Sequence, residues 1–241
     1  MKYFKTFRSV LNLNYWRFEF QPCSCWCCHT GFGKAVCDSC KPLLPHMLDG
    51  CIQCARESPQ GLYYCGACLQ DPPMVDELIV AQAYRWPWTQ WIPEFKFRAN
   101  LARGHFLARC LLEAIEKRGT ELPEVLIPVP LHPKRQAMRG FNQAEVLAKP
   151  LSIWLNCPLN NTLVYRHKAT QPQMELSAAQ RRPNLKSAFR ATGRIPFKHV
   201  AIVDDVITTR NTVEALARVL KQAGVERVSV FGGCRASLQA A

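Results

Sequence analysis

Two adjacent acids and three threonines lie close together near the C-terminus, at Asp204, Asp205, Thr208, Thr209 and Thr212. Threonine hydroxyls and the free N–H groups at the start of a helix bind phosphate, and the positive end of the helix dipole adds to the attraction. Paired carboxylates bind sugar hydroxyl groups or a divalent cation. The spacing therefore predicts a site that holds a phosphate group, with a polyol or a metal ion beside it.

The surrounding residues predict the elements that position this site. Residues 200–203 form a short apolar run, which is typical of a buried parallel strand. A helix is expected next, because apolar residues recur at i, i+3, i+4 and i+7 from Val213 to Leu220. Asn211 or Thr212 would cap that helix. The simpler alternative is an ordinary strand, loop and helix with two solvated acids.

A second chemistry lies near the N-terminus, where ten of the thirteen cysteines fall between Cys23 and Cys68. So many cysteines in a chain with no recognisable signal peptide favour metal binding over disulfides. Two Cys-x-x-Cys pairs supply four thiolates for one tetrahedral zinc ion, at Zn–S distances of about 2.3 Å. Redox-active dithiols are the alternative, but the βαβ pattern that they need is not evident here. The candidate ligands are Cys25, Cys28, Cys37, Cys40, Cys51, Cys54, Cys65 and Cys68.

Sequential pairing of these cysteines predicts a double zinc ribbon with two structural zinc ions. The register of the first pair is open between Cys23/Cys27 and Cys25/Cys28, and the spacing of the other pairs favours the latter. Few other residues here are apolar, so the metal must stabilise the fold. The predicted domains are an N-terminal arm over 1–20, the zinc ribbon over 21–70 and a larger domain over 71–241.

A basic segment follows another predicted strand. Residues 125–130 are expected to form a strand that two prolines end, and a helix is predicted over 144–155. The loop between them would lie at the carboxyl ends of parallel strands, where such sheets bind ligands. Its basic residues would face a diphosphate group or DNA, and the alternative is a loop with solvated charges. The candidates are Lys134, Arg135, Arg139, Gly140, Asn142 and Gln143.

The net charge of +13 is concentrated in one third of the chain. Residues 131–200 carry 12 lysines and arginines against 2 acids. This excess favours a surface that binds phosphates or nucleic acid, and a merely solubilising face is the alternative. Within residues 131–200, the polar segment 166–189 is expected to form a flap over the phosphate site. Arg181 would be a further residue that binds the diphosphate or DNA, and a helix is expected to start at Ser177.

The remaining periodicity predicts an α/β fold. Strands are expected over 78–83, 159–165 and 225–231 and a helix over 101–117, with an aromatic-rich helix or turn around Lys96. No apolar run reaches the roughly 20 residues of a membrane span. We therefore expect no membrane insertion and a cytoplasmic location.

Together these motifs resemble a known family. Residues 200–212 resemble the 5-phosphoribosyl-1-diphosphate (PRPP) loop of type I phosphoribosyltransferases, except that Arg210 stands where the pattern has glycine. Paired cysteines, the string Arg-Gly-Phe-Asn-Gln over 139–143, Leu176-Ser177 and this loop follow one another as in the ComF family, from about residue 23 onward. The resemblance implies a double zinc ribbon fused to a type I phosphoribosyltransferase-like parallel sheet flanked by helices. It also implies a role in natural transformation, in which internalised single-stranded DNA is handled with a competence helicase.

The resemblance also implies roles for individual residues. Asp204 and Asp205 would hold the ribose hydroxyls of PRPP and Mg²⁺, and the basic residues named above would face its diphosphate or DNA. Arginine adopts a positive φ at a cost that glycine avoids, and its charge would either pair with the phosphate or fill the pocket. The residues expected to bind the 5-phosphate are Thr208, Thr209, Arg210, Asn211 and Thr212.

Three functions are compatible with these residues. In the first, the protein binds PRPP or another phosphorylated ligand and handles single-stranded DNA. In the second, it is an active phosphoribosyltransferase on an unidentified acceptor. In the third, it is a zinc-ribbon adaptor without catalysis. The arginine at position 210 leaves open whether catalysis occurs.

Overall fold

The computed structural model describes residues 24–30, 33–47, 50–56, 63–167 and 188–236. It divides the chain into two compact units, 1–44 and 45–241, and the division falls between the second and third Cys-x-x-Cys pairs. The predicted domain limits at residues 20 and 70 stay predictions. The N-terminal arm over 1–20 lies outside the described residues.

A parallel sheet forms the centre of the second unit. Its strands follow the order β1-β6-β5-β2, and each neighbouring pair is parallel. A separate antiparallel pair consists of β3 and β4. The strands are β1 (Glu77–Ala83), β2 (Val125–Pro128), β3 (Val164–Arg166), β4 (Phe189–Ala191), β5 (His199–Ile207) and β6 (Arg227–Arg235).

Helices flank this sheet and bury its apolar side chains. The helix after β5 packs its apolar side chains into one core with alternate residues of β1, β2, β5 and β6. The long helix after β1 packs on β1 and β6 and against the helix that precedes β3. The predicted parallel sheet with flanking helices is therefore confirmed. The described helices are α1 (Gly66–Gln70), α2 (Trp88–Phe97), α3 (Leu101–Arg118), α4 (Pro133–Arg139), α5 (Gln143–Trp154) and α6 (Asn211–Gln222), and a short 3₁₀ helix spans Lys41–Leu43.

Three local predictions are wrong in detail. The basic loop predicted after β2 contains α4, because His132 caps its first turn, Pro133 opens it and Gly140 ends it in the left-handed conformation at φ 76°. The strand predicted to end at the two acids continues to Ile207, since β6 pairs with it along that length. The residue that precedes α6 as its N-cap is Arg210, rather than Asn211 or Thr212.

The other predicted elements differ mainly in their ends. The strand expected over 159–165 is reduced to β3, and Leu159 instead forms an isolated bridge with Leu126. The last strand runs to Arg235 rather than to residue 231. The central part of the predicted flap, including the helix start at Ser177 and the candidate ligand Arg181, lies outside the described residues.

Candidate functional site

The acid pair lies inside β5, near the carboxyl edge of the sheet. β2 pairs with β5 as far as Val203, so Asp204 and Asp205 lie just beyond the last paired residue of β2. On the other side, β6 brings glycines against them. A Cβ on Gly233 would lie 2.7 Å from the carbonyl oxygen of Asp205 and 2.5 Å from a methyl carbon of Leu107. Glycine is therefore needed where β6 passes the acids.

Lys96 of α2 neutralises one of the two acids. Its Nζ lies 2.7 Å from Oδ2 of Asp205, and the two side chains are only 21% and 10% exposed. Burial alone would lower the pKa of Lys96, but the carboxylates of Asp205 and Asp204 raise it. The sequence had given no reason to select Lys96 for the site. The only signal was that Lys96 lies between two phenylalanines, Phe95 and Phe97.

The two acids share one environment. The backbone N–H of Asp205 donates to Oδ1 of Asp204 at 2.9 Å. Burial and the neighbouring Asp205 raise the pKa of Asp204 to about 8, against the opposing effect of Lys96. Two carboxylates this close favour a shared proton or a shared cation. The pair is thus suited to bind a divalent ion or sugar hydroxyl groups.

Two arginines from different elements are close enough to the acids for their charges to interact. Burial lowers the pKa of Arg139 on α4, Asp205 raises it and the neighbouring Arg135 lowers it. The pKa of Arg166 on β3 is likewise lowered by burial and by Arg135 and raised by Asp204. Of the predicted residues, Arg139 thus interacts with Asp205, and Arg135 interacts with Arg139 and Arg166. The structure adds Arg166, which belonged to the predicted flap rather than to the predicted ligand set. An excess of cations here favours a polyanionic ligand.

The string over 139–143 holds this arrangement together. Nη1 of Arg139 donates to Oε1 of the buried Gln143 at 3.0 Å, and Phe141 packs on Phe95 with ring centroids 5.7 Å apart. Asn142 donates to the carbonyl oxygen of Val129 at 3.1 Å and accepts from the backbone N–H of Ala144, which caps α5. These contacts join α4, α5 and the end of β2. Ligand contacts by Gly140, Asn142 and Gln143 stay predictions, as do those by Lys134.

The predicted phosphate loop lies between β5 and α6. β5 ends at Ile207 and α6 begins at Asn211, so residues 208–210 form the connection. Arg210 has φ 60°, which is the left-handed region. The first N–H groups of α6 have no partner within the helix and give its start a partial positive charge. Thr208 is exposed and Thr212 is partly exposed. The loop thus begins three residues after Asp205, and phosphate binding by its residues stays a prediction.

The side chain of Arg210 is directed at a cysteine. Its Nη1 donates to Sγ of Cys68 at 3.5 Å. Arg235 at the end of β6 is 5% exposed and donates to the carbonyl oxygens of Cys54 at 3.2 Å and Ile207 at 2.9 Å. It also donates to the carbonyl oxygen of Thr208. Two arginines therefore connect the loop to the cysteines between positions 51 and 68, which the sequence did not indicate.

The cysteines form two groups whose geometry fits zinc. The four sulfur atoms of each group lie within 4.8 Å of one another. Tetrahedral zinc at Zn–S distances of about 2.3 Å places its sulfur ligands about 3.8 Å apart. Sγ of Cys28 lies 3.8 Å from that of Cys37, and Sγ of Cys54 lies 3.6 Å from that of Cys65. The first cluster comprises Cys25, Cys28, Cys37 and Cys40, and the second cluster comprises Cys51, Cys54, Cys65 and Cys68.

One thiol in each cluster has a lowered pKa, which favours the thiolate form that binds metal. Burial alone would raise the pKa of Cys25, but N–H groups of Cys28, Cys37 and Cys27 lower it to about 6. Backbone N–H groups likewise lower the pKa of Cys51 to about 7 against the effect of burial. Cys27 is outside the first cluster, and Cys23 lies outside the described residues. The geometry thus favours the register with Cys25 and Cys28.

Among the described residues, no helix combines the length and the apolar character needed to cross a membrane.

Comparison with known proteins places these features in context. The family described as Phosphoribosyl transferase domain matches residues 137–231. Competence protein F of Haemophilus influenzae is 38% identical over 210 residues, which cover 84% of this chain and 91% of that protein. DNA utilization protein YhgH of Escherichia coli K12 is 36% identical over 221 residues, which cover 89% and 97%. The purine phosphoribosyltransferase from Pyrococcus horikoshii Ot3 aligns with 54% of this chain and 70% of its own, at 21% identity and a TM-score of 0.32.

Proposed function

The chain belongs to the family of competence protein F and DNA utilization protein YhgH, and from this premise we propose that it binds PRPP, or another phosphorylated sugar, with Mg²⁺ at the carboxyl end of β5. We also propose that it handles internalised single-stranded DNA during natural transformation. The competence helicase as a partner and the cytoplasmic location belong to the same proposal.

One observation carries the proposal for the ligand. The acid pair and a loop that opens a helix lie within nine residues of β5 and α6, and Lys96 and Arg139 come to the same edge from other elements. A phosphorylated sugar needs both halves of this site, the acid pair and the loop that opens α6. Its hydroxyl groups require acceptors, and its phosphate requires N–H and hydroxyl donors.

Each half of the site has a distinct role in this proposal. Asp204 and Asp205 accept from the ribose hydroxyls and hold Mg²⁺, which neutralises charge on the diphosphate. Lys96 balances one negative charge of the pair, so that the pair does not repel the anionic ligand. Thr208, Thr209 and the start of α6 hold the 5-phosphate. Arg135 and Arg139 would pair with the negative charges of the diphosphate.

The surface beside this site suits an unstructured polyanion. Phe97 is 72% exposed, and the guanidinium of Arg139 lies 5.2 Å from its ring centroid. Lys134 is exposed on the same short helix as Arg139. Exposed aromatic rings next to cations bind single strands by stacking and charge, without reading their sequence. These residues support the proposed handling of single-stranded DNA.

Catalysis is a second candidate function. The match of residues 137–231 to the phosphoribosyl transferase domain family supports it. A transferase of this kind displaces diphosphate from the sugar, and its residues act by positioning the reactants and stabilising charge. Release of pyrophosphate from PRPP in the presence of candidate acceptors tests this function. No release with any acceptor, together with PRPP binding, would leave the binding function alone.

Calorimetric titration with PRPP and Mg²⁺ tests the ligand. We expect saturable binding that depends on Mg²⁺ and is lost in Asp204→Asn, because an amide cannot lose a proton to give the carboxylate that would hold the cation. Glu226→Gln is the matched control, since this exposed glutamate pairs with Lys198 outside the proposed site. Wild-type protein that gives no signal, or equal binding by Asp204→Asn, would contradict the proposal.

Anisotropy titration with a labelled single-stranded oligonucleotide tests the DNA function. We expect affinity to fall steeply with salt, and Arg135→Ala to lower the logarithmic slope by about 1. Lys149→Ala is the control, because this exposed lysine lies in the same basic third of the chain but pairs with Glu145. An affinity that does not change with salt would count against DNA binding.

A further inference from the structure

The loop over 208–210 depends on contacts with the second cluster. Arg210 donates to the sulfur of Cys68, and Arg235 donates both to the backbone of Cys54 and to the backbone of the loop. Cys54 and Cys68 each belong to the group of four sulfurs that fits one zinc ion. The loop and the cluster are therefore joined at two separate points.

The contact of Arg210 follows from charge. Zinc with four thiolates has a net charge of −2, so a guanidinium that donates to a ligand sulfur is stabilised there. The residue also pays a conformational cost, because its φ of 60° is uncommon for a residue other than glycine. Because its side chain is hydrogen-bonded to Cys68, it does not fill the side of the loop where a phosphate would bind. Arg210 thus adopts a backbone conformation that glycine would adopt more easily, and its side chain links the loop to the second cluster.

Arg235 determines which way the loop presents its backbone. It is almost fully buried, and burial lowers its pKa to about 10, so it is still charged at neutral pH. The carbonyl oxygens of Ile207 and Thr208 point at its guanidinium. In a trans peptide the carbonyl oxygen and the following N–H point in opposite directions. The N–H groups of Thr208 and Thr209 are therefore turned away from Arg235, as donors for an anion.

The chain that leaves the second cluster is also fastened along α6. The backbone N–H of Met74 donates to Oε2 of Glu214 in the first turn of α6 at 2.9 Å. Near the other end of the helix, Nζ of Lys221 lies 2.9 Å from Oδ2 of Asp76. Both partners belong to the segment between Cys68 and β1. A shift of this segment would therefore move the helix whose start completes the loop.

We propose that the second cluster, with its metal bound, sets the conformation of the loop over 208–210 through Arg210 and Arg235, so that metal occupancy of this cluster controls the affinity of the loop for phosphate. This inference rests on the proposed function for its ligand, but its structural part does not need that ligand. The first cluster belongs to the other compact unit. The first cluster therefore provides a matched control.

Hydrogen exchange of the full-length, zinc-loaded protein tests the structural part. In Cys68→Ser we expect loss of one zinc per chain. We also expect about tenfold faster exchange of the two backbone amides that are hydrogen-bonded to the ends of the loop, that of Glu214 to the carbonyl oxygen of Arg210 and that of Ala236 to the carbonyl oxygen of Ile207, which corresponds to about 1.4 kcal/mol less protection against local opening. In Cys37→Ser we expect loss of one zinc with unchanged exchange at these amides. A folded Cys68→Ser protein that has lost one zinc but exchanges like wild type at the loop would overturn the inference.

Arg210→Gln keeps the test decisive if Cys68→Ser does not fold. This variant keeps both zinc ions and a side chain of similar length, but it loses the charge that attracts Arg210 to Cys68. We expect faster loop exchange, and restoration towards wild type in Arg210→Lys. Loop exchange in Arg210→Gln that equals wild type would overturn the inference as well.

Linkage provides the readout that involves the ligand. If zinc at the second cluster raises the affinity for PRPP and Mg²⁺ by some factor, the ligand must raise the affinity of that cluster for zinc by the same factor. We therefore expect PRPP with Mg²⁺ to raise the concentration of chelator that removes one zinc at equilibrium, but not the concentration that removes the other. If calorimetry detects no binding of PRPP while hydrogen exchange still depends on the second cluster, the proposed ligand is wrong and the structural link stands. If PRPP binds but leaves both chelator concentrations unchanged, control of affinity by the second cluster is overturned.

Discussion

The two ends of the parallel sheet both hold charged side chains, but the described residues arrange these charges differently at each end. At the amino end, the buried Glu77 accepts from Thr120 and pairs with Arg227, which also pairs with Glu121. At the carboxyl end, two adjacent acids are close to one lysine and several arginines. Acids and cations that pair with one another stabilise a fold, whereas two adjacent buried acids with a raised pKa and several cations near them are characteristic of a ligand site.

A substitution at the amino end should reduce stability without affecting ligand binding. Glu77→Ala removes the acceptor of Thr120 and leaves Arg227 with only Glu121, so we expect a loss of about 3 kcal/mol in the free energy of unfolding. Chemical denaturation measures this loss. Calorimetry under conditions where the variant is folded should give wild-type affinity for PRPP. A variant that is as stable as wild type would show that the amino end is not a structural network.

Gly233→Ala should affect both stability and binding, because it lies where β6 passes the acids. The added methyl group would lie 2.7 Å from the backbone oxygen of Asp205, which cannot rotate away. We expect a loss of about 2 kcal/mol in unfolding free energy and weaker PRPP binding in the folded protein. Gly193→Ala is the control, because a Cβ there has no atom within 4 Å. Wild-type binding by Gly233→Ala would show that the position of Asp205 is unimportant.

Asp204→Asn should abolish ligand binding without reducing stability, which is the opposite of the effect expected for Glu77→Ala. The raised pKa of Asp204, about 8, means that keeping this carboxyl group buried costs stability at neutral pH, and the amide removes that cost. We therefore expect the unfolding free energy to stay within about 1 kcal/mol of wild type or to rise. Binding of PRPP should nevertheless be lost. Thermal unfolding and calorimetry on one preparation measure both. A large loss of stability would place Asp204 in a structural network instead.

The smallest effect concerns pH at the amino end. His199 is buried, its Nε2 lies 2.9 Å from Oγ of Ser229, and burial and Arg227 lower its pKa. The unfolded state then binds a proton at about pH 6.5 that the folded state does not bind, so stability should fall as pH decreases through this range. We expect His199→Gln to show a shallower loss of melting temperature between about pH 7 and pH 5. Equal slopes in the two proteins would contradict this role.

The sequence predicted what local patterns encode. The strand before the acids, the helix after them and the cysteine pairs each depend on residues that are close in the chain. It did not predict Lys96 beside Asp205 or Arg210 beside Cys68, because these pairs form only when distant elements pack together. The resemblance assigned Arg210 to the phosphate. Its contact with a sulfur 142 positions away could not be read from any local pattern.

The most direct test of the account is a crystal structure of the zinc-loaded protein with PRPP and Mg²⁺. We expect the 5-phosphate at the N–H groups of residues 208–212, Mg²⁺ and the ribose hydroxyls near Asp204 and Asp205, and Arg210 still bonded to Cys68. Ligand bound elsewhere on the chain, with the acid pair contacting Lys96 but no ligand, would contradict the central claim that the carboxyl end of the sheet is the ligand site.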